Sequence, residues 1–200
     1  VNDTHQEIAL LYDATRLDAL HDPKGTDPVD GGSWHAPRFD GVFRLDLDVD
    51  GKPEKIIFSK PPLEVSMRTV NGTSLRLIGV HTKSVAPREN GTEEEKIAQS
   101  ITNRRKQLAQ CIWIRQRVES HLEHGDDLIV MGDFNDGPGL DGYEKLFGQS
   151  SIEIVQGIAK RAERRLHEPH ADSARSIRYG PHPATSRFYD RETKAYMNAL

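Results

Sequence analysis

The sequence predicts an α/β domain, and three observations carry that prediction. Short β-branched and aromatic runs split by turn residues fill roughly the first ninety positions. A long segment from Thr92 onward carries apolar residues at helical spacing. A run apolar on consecutive positions, Leu128-Ile129-Val130-Met131, follows it directly and has the pattern of a strand covered on both faces. The chain of 200 residues suits one domain over positions 1–200, and 36% apolar residues supply a core.

Taken in order, residues 7–12, 42–49, 54–59, 63–68 and 74–81 read as strands. Positions 43–49 alternate apolar with polar, which predicts one buried and one wet face. Asp50-Gly51 and Asn71-Gly72 sit between such runs as hairpin turns. Pro, Gly and Asp between Asp22 and Asp40 mark a surface loop. Thr92 with Glu95 forms a capping box. Ile97, Ile101, Leu108, Cys111, Ile112, Val118 and Leu122 then make one helical stripe, with His121 and His124 near its end and Gly125 as its stop. Beyond Gly148 no element stands out.

Strand 74–81, the helix and strand 127–132 form a strand–helix–strand unit, which predicts two parallel strands joined by a crossover. Both strands then end at the same sheet edge, where ligands gather in open α/β sheets. The residues just past the exits are His81-Thr82-Lys83-Ser84 and Asp133-Phe134-Asn135-Asp136.

Composition narrows the function. A net charge of −4 excludes a general nucleic-acid coat. The lone Cys111 excludes a disulfide framework and any Cys-built metal site. No apolar run is long enough to cross a bilayer. The chain opens at Val1 without Met or an apolar leader, which reads as a processed product or an excerpt.

The chemistry concentrates in Gly132-Asp133-Phe134-Asn135. Gly132 permits close backbone approach to a ligand. On an extended exit, Asp133 and Asn135 point the same way and Phe134 points to the core. A carboxylate beside an amide suits phosphate-ester hydrolysis: one takes a proton from water, the other donates to a phosphoryl oxygen. His81, one crossover away, can contact the same ligand, although a satisfied core histidine is the commoner case. Lys83 and Ser84 offer a point charge and a hydroxyl to an anion, and Lys60, before Pro61-Pro62, can face the same edge.

Phe58-Ser-Lys-Pro-Pro-Leu-Glu-Val65, Leu77-Ile-Gly-Val-His-Thr-Lys-Ser84, Arg104–Leu108 on the helix and Ile129-Val-Met-Gly-Asp-Phe-Asn-Asp136 together resemble the endonuclease/exonuclease/phosphatase superfamily. The resemblance is clearest from Phe58 to Pro138. It implies a deoxyribonuclease I-like four-layered α/β sandwich and a metal-dependent phosphoesterase. It implies that Asp133 activates water, that Asn135 orients the phosphate and that His81 contacts the scissile phosphate. Lys60 stands where many relatives have an arginine; the charge is kept and the bidentate fork is lost.

The resemblance also implies Mg²⁺ or Mn²⁺ as cofactor and a phosphate ester, in nucleic acid, phospholipid or nucleotide, as substrate. The family's principal metal-binding Glu and its late Asp-His pair have no counterpart in these 200 residues, which leaves Asp133 as a second-site ligand at most. The expectation is an internal part of a catalytic domain, incomplete at both ends and inactive alone. The alternative is a fragment or degenerate relative that only binds or supports.

Plainer readings cover other features. Asn2-Asp3-Thr4, Asn71-Gly72-Thr73 and Asn90-Gly91-Thr92 match a glycosylation pattern, but turn and cap chemistry explains the last two. Arg104-Arg105-Lys106 reads as a solvated helix face. Residues 156–187 are locally basic, and a substrate path along them is the less favoured reading. Trp34 and Trp113 read as packing residues, and His167, His170 and His182 as loop residues.

Overall fold

The computed structural model describes residues 7–25, 36–47, 49–87, 90–136, 148–157, 162–169, 186–190 and 195–199. Asn2-Asp3-Thr4, Trp34, Gly137 to Gly139, His170, His182 and most of the basic stretch lie outside them. The chain divides into two compact units, Val1–Asn135 and Asp136–Leu200. Both strands and helices are present, so the α/β class holds.

In the first unit, β1 (Leu17–His21), β4 (Leu63–Thr69), β5 (Ser74–His81) and β6 (Leu128–Asp133) form one mixed sheet in that order. β1 and β4 are antiparallel, as are β4 and β5, whereas β5 and β6 run parallel. A separate antiparallel pair joins β2 (Phe43–Leu45) to β3 (Glu54–Ile56). The helix α1 (Glu93–Glu123) connects β5 to β6, as the crossover pattern predicts. Thr92 Oγ1 accepts from Glu95 N at 3.2 Å and Glu95 Oε2 accepts from Thr92 N at 2.9 Å, which is the predicted capping box. Gly125, at φ 75°, follows the helix end.

Alternation decides which residues face α1. Glu64 meets Arg117 of the helix, so Ile78 beside it faces the helix too. Val65, Met67 and Leu77 fill the opposite face with Leu10, Leu17 and Leu75. On the helix side Trp113, wholly buried, has ring centroids 5.6, 5.3 and 5.1 Å from Phe39, Phe43 and Phe58. Its indole N–H donates to Pro37 O at 3.0 Å, so no polar atom of the ring is stranded.

Several expectations change. Residues 7–12 form no strand; Leu10 packs on the sheet face, and a Cβ on Gly79 would meet Ile8 Cγ2 at 3.1 Å. The strand expected over 42–49 stops at Leu45 because Asp46 accepts from the backbone of Asp50 and Gly51, a side-chain turn that competes with the ladder. Val49 is consequently exposed at φ 58°. Ala36 and Phe39 are buried, so the end of the Asp22–Asp40 stretch belongs to the core.

β6 is covered on one face only: Ile129 and Met131 are 47% and 56% exposed. A continuous apolar run tells what a strand can bury, not what is there to bury it. The predicted helix stripe shifts too, since Ile97 is exposed while Arg104, Gln107 and Arg117 are buried.

The second unit contains α2 (Ser151–Gln156), a 3-10 turn (Ala162–Arg164) and an antiparallel hairpin of β7 (Ser186–Asp190) with β8 (Ala195–Ala199). Ser150 caps α2 with its own capping box to Glu153, and Asp136 Oδ2 accepts from Ser151 N at 2.7 Å. His167 is exposed outside regular structure, as expected of a loop residue. Among the described residues, no helix is long and apolar enough to cross a membrane.

Candidate active site

Two parallel strands leave the sheet side by side, and their register pairs His81 with Asp133. The side chains meet, with His81 Nε2 3.7 Å from Asp133 Oδ2. They are 34% and 61% exposed, so a ligand can reach both. This is the rim predicted from the strand–helix–strand pattern.

The strands stay laced beyond the ladder. Thr82 N donates to Asp133 O at 3.0 Å and Thr82 Oγ1 donates to Phe134 O at 2.5 Å. Asn135 Nδ2 donates back to Thr82 O at 2.9 Å. Asn135 N donates to Asp133 Oδ1 at 2.8 Å, an Asx turn. This turn corrects the extended exit expected from alternation. Asn135 lies at φ 49°, a left-handed conformation that asparagine tolerates better than most residues. One amide N–H and one carboxylate oxygen therefore hold the loop, while Asp133 Oδ2 faces His81.

Gly132 has a different task from the one its position suggests. At φ 138°, a Cβ there would meet Val80 O at 2.1 Å and Val80 N at 2.9 Å. Glycine is required by the neighbouring strand, whose backbone leaves no room for a side chain.

Lys60 joins the site: its Nζ is 3.1 Å from both ring nitrogens of His81. Lys83 does not. Its backbone N donates to Gln110 Oε1 at 2.8 Å, and the residue lines a separate cavity of about 450 Å³ with Lys106 and Asn103 of α1. Ser84 Oγ accepts from Ala86 N at 3.3 Å, a local turn contact.

Sequence reading missed the residues that hold this rim from behind. Gln107 Nε2 donates to Phe134 O and to Asn135 O, each at 2.9 Å, while its Oε1 accepts from Arg104 Nη1 at 2.6 Å. Gln110 Nε2 donates to Ile57 O at 3.0 Å. Arg104 is 1% exposed, which overturns its reading as a solvated residue, whereas Arg105 does sit at the surface and pairs with Glu54. The available signal was two glutamines three residues apart inside an apolar stripe, where buried amides need partners.

A divalent cation does not fit these residues alone. Among the described residues, no three His, Cys, Asp or Glu side chains converge to hold a metal. Asp133 supplies one carboxylate, and the Lys60 ammonium stands at His81. Mg²⁺ and Mn²⁺ want carboxylate and water oxygens, and a neighbouring ammonium opposes a second cation.

No protein-family model matches the chain, and neither does any curated protein or solved structure.

Proposed function

We propose that this rim hydrolyses phosphate esters, as part of a domain similar to the deoxyribonuclease I-like sandwich of the endonuclease/exonuclease/phosphatase superfamily. The observation that carries the reading is the meeting of His81, Asp133 and Lys60 at one open strand edge. Asp133 Oδ2 takes a proton from water as its oxygen attacks phosphorus. The N–H of the His81 imidazole, which Lys60 Nζ flanks at 3.1 Å from both ring nitrogens, donates to a phosphoryl oxygen. The second N–H of the Asn135 amide donates to another phosphoryl oxygen. Lys60 adds a positive charge where negative charge grows. The bond to the leaving oxygen then breaks, that oxygen takes a proton from solvent water, and Asp133 returns to solvent the proton it took from the attacking water.

The resemblance attaches Mg²⁺ or Mn²⁺ to this chemistry, and the described residues supply at most one of its oxygens. That single carboxylate favours a second reading, in which the rim binds a phosphate group without cleaving it. A measurable kcat/KM on a generic phosphodiester in the full-length protein, compared with Asp133→Asn, separates the two readings, since the binding reading predicts no turnover in either. The hydrolytic reading predicts a loss on the order of a hundredfold or more. Activity within a few-fold of the unaltered protein overturns it.

A further inference from the structure

Gln107 of α1 is wholly buried, and its side chain bonds to Arg104, Phe134 and Asn135 rather than to His81 or Asp133. We propose that Gln107, oriented by Arg104, is a positioning residue for the rim: it fixes which oxygen of the Asp133 carboxylate is free to act. The inference rests on the phosphoesterase reading of the rim, and it adds what sets the geometry of the base.

The neighbours leave the Gln107 amide one orientation. Phe134 O and Asn135 O each accept from it at 2.9 Å, and the guanidinium of Arg104, itself buried, donates to it at 2.6 Å. A flipped amide would set its oxygen against two carbonyls and its N–H groups against a cation. Arg104 thereby keeps the donor end turned to the β6 exit, through a bond strengthened by its charge. The two carbonyls belong to the residues on which the loop's shape depends. Phe134 O also accepts from Thr82 Oγ1, so both of its lone pairs are engaged. With Asn135 O held as well, the backbone is pinned around a left-handed residue, φ 49°. A residue other than glycine keeps that conformation only where its surroundings impose it. In this pose Asn135 N donates to Asp133 Oδ1, and Oδ2 stays toward His81 at 3.7 Å. Relaxation at Asn135 would release Oδ1 and let the carboxylate turn.

Gln107→Glu separates positioning from plain stability, because a carboxylate keeps the contact with Arg104 as an ion pair yet turns oxygen toward both carbonyls. Gln107→Leu removes the donor without adding charge and serves if the first variant does not fold. Both are made in the full-length protein, and the folded fraction of each is measured first. Amide hydrogen exchange then compares the Asn135 N–H with the Gly72 N–H, which donates to Thr69 O at 2.9 Å in a hairpin turn of β4 with β5. Both amides open locally, so loss of global stability moves neither. Exchange at Asn135 should speed up on the order of tenfold and exchange at Gly72 should not change. On a generic phosphodiester, kcat per folded molecule should fall on the order of tenfold or more, with KM within about threefold. Unchanged exchange at Asn135, an equal acceleration at Gly72, a kcat that falls only with the folded fraction, or failure of both variants to fold each overturns the proposal. Faster exchange at Asn135 in variants of a protein that turns over no phosphodiester would sink the hydrolytic reading alone. Turnover with unchanged exchange would sink this inference alone.

Discussion

Asp22 follows β1 and carries charge in both directions: Lys24 Nζ donates to it at 2.8 Å, and Arg76 Nη1 pairs with its other oxygen. Partial burial pushes its carboxyl up, but the hydrogen bonds and charges of Lys24 and Arg76 outweigh that and leave it below 3.8. A carboxyl with a depressed folded-state pKa adds stability above its unfolded value and loses it as pH falls through the folded one. Asp22→Asn should therefore cost about 1 kcal/mol or less at neutral pH, since the group is partly exposed. The gap to the unaltered chain should close as pH falls below 3.8. Urea denaturation across that range checks it, and a gap that does not change with pH contradicts it. Asp133 and Asn135 stand out as candidates in the sequence because acid, amide and glycine types are distinctive. The left-handed turn at Asn135 does not, because a local side-chain hydrogen bond decides it.

At the scale of elements, α1 is more than a connector. Gln107 and Gln110 reach three separate segments: the β5 exit through Lys83, the β6 exit through Phe134 and Asn135, and the β3 exit through Ile57. Gln107→Leu keeps similar volume and deprives two carbonyls of a buried donor. It should lower stability by about 1–3 kcal/mol in chemical denaturation, and a loss under about 0.5 kcal/mol would show that the clamp is not needed.

β5 was readable to the residue, since its run is bounded by the Asn71-Gly72 turn and followed by irregular chain. β1 was not. Leu-Asp-Ala-Leu-His has weak strand preference, and its pairing at the sheet edge with β4 comes from contact across some fifty residues. Arg104 was misread for a related reason: its partner Gln107 lies on the same helix, but the carbonyls that bury the pair belong to the β6 exit.

Within the first unit, two sets of polar groups bear on the site and the core among the described residues. One is the open rim. The other lies under the helix, where buried Glu64 on β4 meets Arg117 Nε at 3.2 Å and His121 Nε2 at 3.7 Å, and His121 Nδ1 meets Asp126 at 2.7 Å. Burial pushes the Arg117 guanidinium down while Glu64 opposes the shift. Arg117 Nη2 also donates to Ala36 O and Pro37 O, so the set ties helix, sheet and loop together. No periodicity announces such a network, because it joins residues distant in sequence through three-dimensional packing. The parallel strand pair and its shared edge were legible, since crossover length and strand pattern dictate them.

On the proposed hydrolytic reading, His81 and Asp133 act on one phosphate as a unit. A double-mutant cycle of His81→Gln and Asp133→Asn, read as kcat/KM on a phosphodiester in the full-length protein, tests it most directly. Groups that act together give strongly non-additive losses, so the double variant should fall within about threefold of the poorer single variant. Single losses that multiply in the double variant would mean that the two side chains meet without working together.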